Sequence, residues 1–162
     1  MQHAAEYRSV CDSPVGPLTL VVSSRGVRAI LFGEVEVPEA QENAARTAPL
    51  RRQLDQYFAG KRRKFELELD WAGTTAFRQK VWRALLRVPY GKTASYGDIA
   101  RAIRQPQAFR AVGQANRANP LPIVVPCHRV LGADGSLTGY SGTRRLDLKA
   151  QLLAIEHGAG SR

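Results

Sequence analysis

Short runs rich in β-branched and apolar residues occur three times near the N-terminus, as is typical of β-strands. These runs are Tyr7–Cys11, Leu18–Val22 and Val27–Phe32. Turn-forming residues separate them: a Pro- and Gly-containing stretch at 12–17, and Ser24-Arg25-Gly26 before the third run. The sequence therefore predicts a β-meander over residues 5–34.

A helical spacing of apolar residues follows over residues 48–59. Four side chains share one face of this predicted helix: Leu50, Leu54, Tyr57 and Phe58. Gly60 is a typical stop signal, and the basic run Lys61–Lys64 behind it favours a solvated turn. Phe65–Leu69 alternates as a strand does, so we predict a strand there and a linker at residues 71–74.

From Thr75 onward the apolar period is helical, and one helix is predicted to run from there towards Val88-Pro89. Ser95 and Asp98 have the spacing of a capping box, which predicts a short helix beginning after Ser95. A second short helix is predicted over Ala108–Ala118, and a last one over Arg144–Glu156. Two short helices joined by a tight turn are typical of a helix-turn-helix.

Strands followed by helices place the chain in the mixed α/β class, of the α+β type. Its 162 residues, 44% of them hydrophobic, are enough to bury the core of one ordinary domain or of two small lobes. We place the boundary at the linker, so that residues 1–74 form an N-terminal α/β lobe and residues 75–162 a helical C-terminal domain.

The net charge of +10 comes entirely from the second part of the chain. Residues 1–74 carry 10 Lys and Arg against 10 Asp and Glu, whereas residues 75–162 carry 14 against 4. Such an asymmetry indicates that the C-terminal domain meets a polyanion, and nucleic acid is the leading candidate. A generally basic surface remains the alternative, although it leaves the neutral first half unexplained.

Neither a leader nor a membrane span is expected. The N-terminal residues lack the basic-then-apolar pattern of a signal peptide, and no apolar run approaches the roughly 20 residues that a span needs. The two cysteines, Cys11 and Cys127, lie far apart and have no metal-ligand spacing with histidines. We therefore expect no metal, no disulfide and a reducing compartment, with Cys11 as a packing residue.

The chemistry of the chain is concentrated in Pro126-Cys127-His128-Arg129, which follows the apolar run Ile123–Val125. A thiolate is the nucleophilic form of cysteine, and neighbouring cationic or proton-accepting groups favour it. Prolines at 120, 122 and 126 stiffen the approach to Cys127. The tetrapeptide by itself is equally compatible with a buried structural cysteine beside two polar residues.

The residues from Phe77 onward resemble the O6-alkylguanine-DNA alkyltransferases, also called methylated-DNA–protein-cysteine methyltransferases. The matching stretches are Phe77-Arg78-Gln79-x-Val81-Trp82, Ser95-Tyr96-Gly97, Arg110–Gly113, Asn119-Pro120, Ile123–Val130, Gly139–Gly142 and Leu152-Leu153-x-x-Glu156. Ser13-Pro14-x-Gly16-Pro17-Leu18 is similar to the N-terminal lobe of that family. The resemblance implies a ribonuclease H-like N-terminal lobe and a helix-turn-helix of the winged-helix type.

The activity that this resemblance implies is the irreversible transfer of an alkyl group from O6 of guanine to Cys127. His128, acting through a water molecule, would deprotonate the thiol, and Glu156 would orient His128. Asn119 would brace the cysteine loop, and Tyr96 would stabilise the departing base. Whether O4-alkylthymine and bulky alkyl groups are accepted stays open.

The resemblance also assigns the substrate pocket and the DNA surface. The carbonyl of Val130 would read the base, and Tyr140 with Ser141 would close the pocket over it. Arg110 would fill the gap left by an extruded base, with its helix in the minor groove. The remaining residues expected at the DNA are Ser95, Ala111, Gly113, Ala115, Arg117 and Arg129.

The implied partner is double-stranded DNA containing O6-alkylguanine, bound by a cytoplasmic protein that is associated with the nucleoid through its DNA binding. No cofactor is expected, and no structural zinc either, because the first half of the chain lacks the Cys/His set that binds zinc in some members of the family. An extra domain for phosphotriester repair, which other members carry, is not expected. We expect a monomer that does not bind membranes, and cooperative binding along DNA stays open. Two alternatives are a sensor that binds alkylated DNA without chemistry, and a cysteine hydrolase built on Cys127 and His128.

Overall fold

A computed structural model describes residues 4–137 and 142–160 of the chain. It divides into two compact units, residues 1–72 and residues 73–162, each described here by itself. The mixed α/β class expected from the sequence is confirmed, with an antiparallel sheet in the first unit and helices in the second. The functional boundary between residues 74 and 75 stays a prediction.

The first unit is built on a four-stranded sheet whose strand order is β3-β2-β1-β4. The strands are β1 (Glu6–Cys11), β2 (Leu18–Ser23), β3 (Gly26–Phe32) and β4 (Gln41–Glu42). The first three pair antiparallel, which confirms the predicted meander, and the short β4 runs parallel to β1. Cys11 is buried at the end of β1, as expected for a packing residue.

Helix α1 (Ala44–Phe58) begins four residues before its predicted start. The side chain of Asn43 accepts a hydrogen bond from the backbone N–H of Arg46, and this cap fixes the first turn. Thr47, in the added turn, lies 2.5 Å from the hydroxyl of Ser9 on β1, oxygen to oxygen. The apolar face predicted from Leu50 and Leu54 is buried.

The strand predicted over Phe65–Leu69 is wrong: this segment is irregular and makes one isolated bridge, between Leu69 and Val27. The side chain of Gln53 makes the two backbone hydrogen bonds that a neighbouring strand would otherwise make to Glu66. Its Nε2 donates to the carbonyl of Glu66 at 3.0 Å, and its Oε1 accepts from the Glu66 N–H at 2.9 Å. The side chain thus satisfies both backbone groups of Glu66, while the bridge to Val27 of β3 bonds the backbone of Glu68 and Asp70.

The second unit contains four helices and two very short strands within the described residues. They are α2 (Ala76–Leu86), β5 (Ala94–Ser95), α3 (Tyr96–Ala102), α4 (Phe109–Arg117), β6 (Val130–Leu131) and α5 (Gly142–Gly160). All four predicted helices are present, and α5 extends beyond its predicted bounds at both ends. A single 3₁₀ turn, Cys127–Arg129, precedes β6.

The predicted helix-turn-helix is formed by α3 and α4, which pack on each other and on α2. Ser95 and Asp98 make the predicted capping box, each side chain bonding the other residue's backbone N–H. The indole N–H of Trp82 on α2 donates to the carbonyl of Ala115 at 2.9 Å. This buried contact fixes the height of α4 along α2.

Candidate active site

The chain reaches Cys127 through a rigid loop. Asn119 braces this loop from inside: its Nδ2 donates to the carbonyl of Val125 at 2.8 Å, and its Oδ1 accepts from the Leu121 N–H at 2.9 Å. Ile123 has a φ of 76°, in the left-handed region that a β-branched residue rarely adopts. The loop thus holds a strained conformation just before the thiol.

Cys127 opens the 3₁₀ turn and is only 3% exposed. Its N–H donates to the carbonyl of Val125 at 2.7 Å, and its own carbonyl accepts from Nδ2 of Asn116 at 3.3 Å. Asn116 is buried on the inner face of α4, and the sequence analysis did not single it out. Hydrogen bonds to both its N–H and its carbonyl therefore hold the backbone of Cys127, and with it the position of the thiol.

The two predicted relay residues meet behind the cysteine. Nε2 of His128 lies 2.6 Å from Oε2 of Glu156, and both residues are fully buried. Burial lowers the pKa of His128 below its usual value, and the hydrogen bond to Glu156 opposes this only in part. His128 is therefore neutral near pH 7.

Arg129, which we expected at the DNA, is instead buried at 5% exposure. Its Nε donates to Oε1 of Glu156 at 2.8 Å, its Nη2 to Oε2 at 3.0 Å, and its Nη1 to the carbonyl of Val88 at 2.7 Å. A lone buried carboxylate needs a cation, and Arg129 supplies it in the two-pronged geometry that suits guanidinium. The expectation of a DNA contact for Arg129 is therefore wrong in this structure.

This ion pair decides which ring nitrogen of His128 carries the proton. An ionised Glu156 can only accept hydrogen bonds, so Nε2 of the neutral imidazole must be the N–H donor. The lone pair then sits on Nδ1, which is buried and has no hydrogen-bond partner among the described residues. The arrangement leaves His128 with one proton-accepting nitrogen.

Lys149 is a component of the site that the sequence analysis missed. It is fully buried on α5, and its Nζ donates to the carbonyl of Val130. Burial lowers the pKa of Lys149 to about 8, although the Cys127 thiolate acts in the opposite direction. Its spacing from Leu152 and Glu156, i, i+3 and i+7, was the signal that could have placed it on the inner face of α5.

Tyr96 and Ser95 are brought to the site by pairing of β5 with β6. Ala94 pairs with Val130 and Ser95 with Leu131 in parallel register. Tyr96 starts α3 directly after this bridge, and its ring lies against Gly113 of α4, where a Cβ would be 3.9 Å from the ring. The half-buried Tyr96 therefore lies at the start of the helix-turn-helix, directly after the strand that pairs with β6.

Helix α4 turns one face inward and one outward. The predicted DNA residues Arg110, Ala111 and Arg117 are exposed, and Gly113 is half-buried. Ala115 is only 1% exposed, and its carbonyl accepts the hydrogen bond from Trp82 of α2. It therefore lies on the inner face of α4, and not on the outward face where a small residue was expected to let the helix approach DNA. At i, i+4 and i+7, Arg110, Gln114 and Arg117 form the outward face.

Two predicted pocket residues, Tyr140 and Ser141, lie outside the described residues. In the part of the chain that the structure does describe, no group of three or more His, Cys, Asp or Glu side chains is placed to hold a metal ion. Over the same residues, the helices are too short or too polar to span a bilayer.

Family models match both parts of the chain. The model for the ribonuclease-like domain of 6-O-methylguanine DNA methyltransferase covers residues 7–71, and the model for its DNA binding domain covers residues 76–158.

Similar proteins align over nearly the whole chain. The methylated-DNA–protein-cysteine methyltransferase of Methanosarcina acetivorans is 44% identical and is aligned over 93% of this chain and 97% of its own. The constitutive enzyme of that name from Bacillus subtilis is 42% identical, with 93% and 94% covered. The crystal structure of Mycobacterium tuberculosis OGT in complex with DNA has a TM-score of 0.87 at 43% identity, and the match covers 94% of each chain. Since these similarities extend over both units, and since the two family models together match nearly the whole chain, the chain belongs to the 6-O-methylguanine DNA methyltransferase family.

Proposed function

We propose that this chain repairs DNA by transferring an alkyl group from O6 of a guanine to Sγ of Cys127, once per protein molecule. The observation that carries the proposal is the buried series of contacts from Arg129 through Glu156 to His128, the residue that follows Cys127, whose sulfur is in no disulfide. A buried cysteine with only a packing role would not need an oriented, neutral imidazole beside it.

His128 is the group that takes the thiol proton. Glu156 holds the ring through Nε2, and Nδ1 accepts the proton of Cys127 through a bridging water molecule. The imidazolium formed in this step is stabilised by the carboxylate at 2.6 Å. Glu156 is therefore a positioning residue, and Arg129 donates a hydrogen bond to each of its carboxylate oxygens.

The thiolate then attacks the alkyl carbon on O6. An S–C bond forms, the C–O6 bond breaks, and the electron pair leaves with the guanine oxygen. In the overall balance, the proton lost by the thiol is the one that the guanine gains. Tyr96, the residue directly after β5, whose partner strand β6 begins at Val130, donates a hydrogen bond to N3 of the departing base in this proposal.

The pocket and the loop supply positioning. The carbonyl of Val130 accepts a hydrogen bond from the exocyclic amine of the guanine through its second lone pair, since the first is taken by Lys149. Asn119 keeps the cysteine turn in place through its two hydrogen bonds. Tyr140 and Ser141 complete the pocket wall in this proposal, as the family resemblance implies.

Because Cys127 is buried, the alkylated base must leave the duplex to reach it. The exposed face of α4 is the surface that docks on DNA, in the minor groove, and Arg110 occupies the place of the extruded base. Ala111 and Gly113 let the helix backbone approach closely, while Arg117 contacts phosphate. The protein acts as a monomer on duplex DNA in the cytoplasm, where its thiol stays reduced.

A transfer assay with duplex DNA carrying a labelled O6-methyl group tests the proposal. Cys127→Ala abolishes label transfer to protein while binding to methylated duplex remains, and the matched variant of the other buried cysteine, Cys11→Ala, transfers normally. Label transfer by Cys127→Ala would show that the nucleophile is another residue. Binding without label transfer in the unaltered chain would instead support a damage sensor.

A further inference from the structure

An aromatic side chain stands at the start of the proposed DNA-docking helix. Phe109, the first residue of α4, is 49% exposed and is the most exposed large hydrophobic residue in the described part of the chain. A single exposed apolar residue is common on protein surfaces and needs no explanation by itself. The surroundings of Phe109 are what set it apart.

Phe109 lies directly beside the arginine proposed to enter the duplex. The guanidinium carbon of Arg110 is 5.9 Å from the centroid of the Phe109 ring, within the range of a cation–π contact. The first turn of α4 carries no acidic residue, and the N-cap, Ala108, offers no side-chain cap. Nothing anionic in this turn would therefore oppose a nearby phosphate backbone.

The helical spacing also places Phe109 towards the side of α4 on which the Tyr96 ring lies. It lies four residues before Gly113, and residues four apart share a helix face. Gly113 is the residue over which the Tyr96 ring lies. Phe109 is thus on the flank of α4 between the outward face of Arg110 and the side that leads to Tyr96.

We infer that Phe109 is a second side chain that contacts a base, and that it stacks on the base next to the extruded guanine. This inference rests on the proposed function. An aromatic wedge at an opened base step covers the exposed face of the neighbouring base, as apolar side chains do in the minor groove. Arg110 fills the gap with hydrogen-bond donors, while Phe109 contributes the stacking surface. About half of the surface of Phe109 is covered by the protein, which limits the positions of the side chain before DNA arrives.

The experiment compares Phe109→Ala and Phe109→Trp with Val35→Ala, an equally simple truncation of an exposed apolar residue in the other unit. Duplex affinity is measured in the Cys127→Ala background, so that the O6-methylguanine is not consumed. The duplex carries 2-aminopurine beside the lesion, whose fluorescence reports its stacking. Transfer rates are measured in the Cys127 background with duplex and with the free base O6-benzylguanine.

We expect Phe109→Ala to weaken duplex binding by about ten-fold, the effect of losing one aromatic–base stack, and to change the 2-aminopurine signal. Phe109→Trp should retain the duplex affinity and the 2-aminopurine signal of the parent, and Val35→Ala should change neither of these two quantities. All three variants should react with the free base at the rate of the parent. Unaltered duplex binding by Phe109→Ala would overturn the inference, as would an equal slowing with free base and duplex. Failure of the unaltered chain to transfer would refute the proposed function instead.

Discussion

Glu156 has two roles at once: it neutralises the buried guanidinium of Arg129 and orients the imidazole of His128. The family resemblance predicted the second role, but not the first. A sequence does not show that a carboxylate is fully desolvated, and this desolvation is what requires the arginine. The family resemblance thus predicted the pairing of Glu156 with His128, whereas the counter-charge of Glu156 depended on burial that only the fold determines.

The Glu156→Gln variant tests these two roles together. It leaves Arg129 buried without a counter-charge, so we expect unfolding to become easier by about 3–5 kcal/mol. We also expect transfer to slow by about a hundred-fold, since His128 loses its tautomer and its orientation. Denaturant titration and single-turnover kinetics measure the two effects.

Asp147→Asn is the matched control for that variant, because Asp147 is an exposed carboxylate on the same helix. It should change neither quantity. Normal transfer by a folded Glu156→Gln protein would contradict the assigned orientation of His128.

Lys149 gives the site a pH dependence of stability. Its folded pKa of about 8 lies below the ordinary lysine pKa of 10.5, so between these values the unfolded chain holds a proton that the folded chain has lost. Stability from this residue therefore rises with pH across that window. The difference in unfolding free energy between the parent and Lys149→Met should shift in favour of the parent from pH 8 to pH 10.5.

Denaturation at a series of pH values measures this difference, and subtracting the variant removes the titration of other groups. A difference that stays constant over the window would contradict the lowering of the Lys149 pKa by burial.

Among the elements, those with a strong local signal were predicted closely. The capping box starts α3 at the predicted position because both of its hydrogen bonds are local. The strand predicted over Phe65–Leu69 was wrong for the opposite reason, since the backbone of Glu66 is bonded by the side chain of Gln53, which is distant in sequence. The positive φ of Ile123 was not predicted either, because a β-branched residue type gives no signal for that conformation.

Gln53→Ala tests whether this side chain replaces a strand. It leaves a partly buried N–H and carbonyl of Glu66 without their partner, and we expect a loss of about 2–4 kcal/mol of stability. The control Arg52→Ala removes an exposed side chain from the same helix and should change stability by less than about 0.5 kcal/mol. Equal denaturant midpoints for the two variants would show that the Glu66 backbone finds another partner.

For the whole molecule, charge asymmetry was informative about where DNA binds but not about which cations contribute. Arg129 belongs to the basic half, yet it is buried and paired with Glu156, whereas Arg110 and Arg117 are exposed. Net charge counts both kinds alike. The sequence therefore indicated a polyanion partner, and burial was needed to select the residues that can reach it.

The salt dependence of duplex binding tests this selection. Affinity should fall steeply as salt rises, and Arg117→Ala should reduce the log–log slope by about 1, as expected for one lost phosphate contact. Lys61→Ala, in the basic run of the N-terminal lobe, should leave the slope unchanged. Fluorescence anisotropy over a salt series provides the slopes, and a flat response of the parent chain would contradict phosphate-driven binding.

The central claim is that Cys127 accepts the alkyl group, and intact-protein mass spectrometry with peptide mapping tests it most directly. After mixing with an excess of O6-methylguanine duplex, the protein should gain the mass of one methyl group, and mapping should place it on Cys127. An unchanged mass despite DNA binding, or a methyl group on Cys11, would contradict the account.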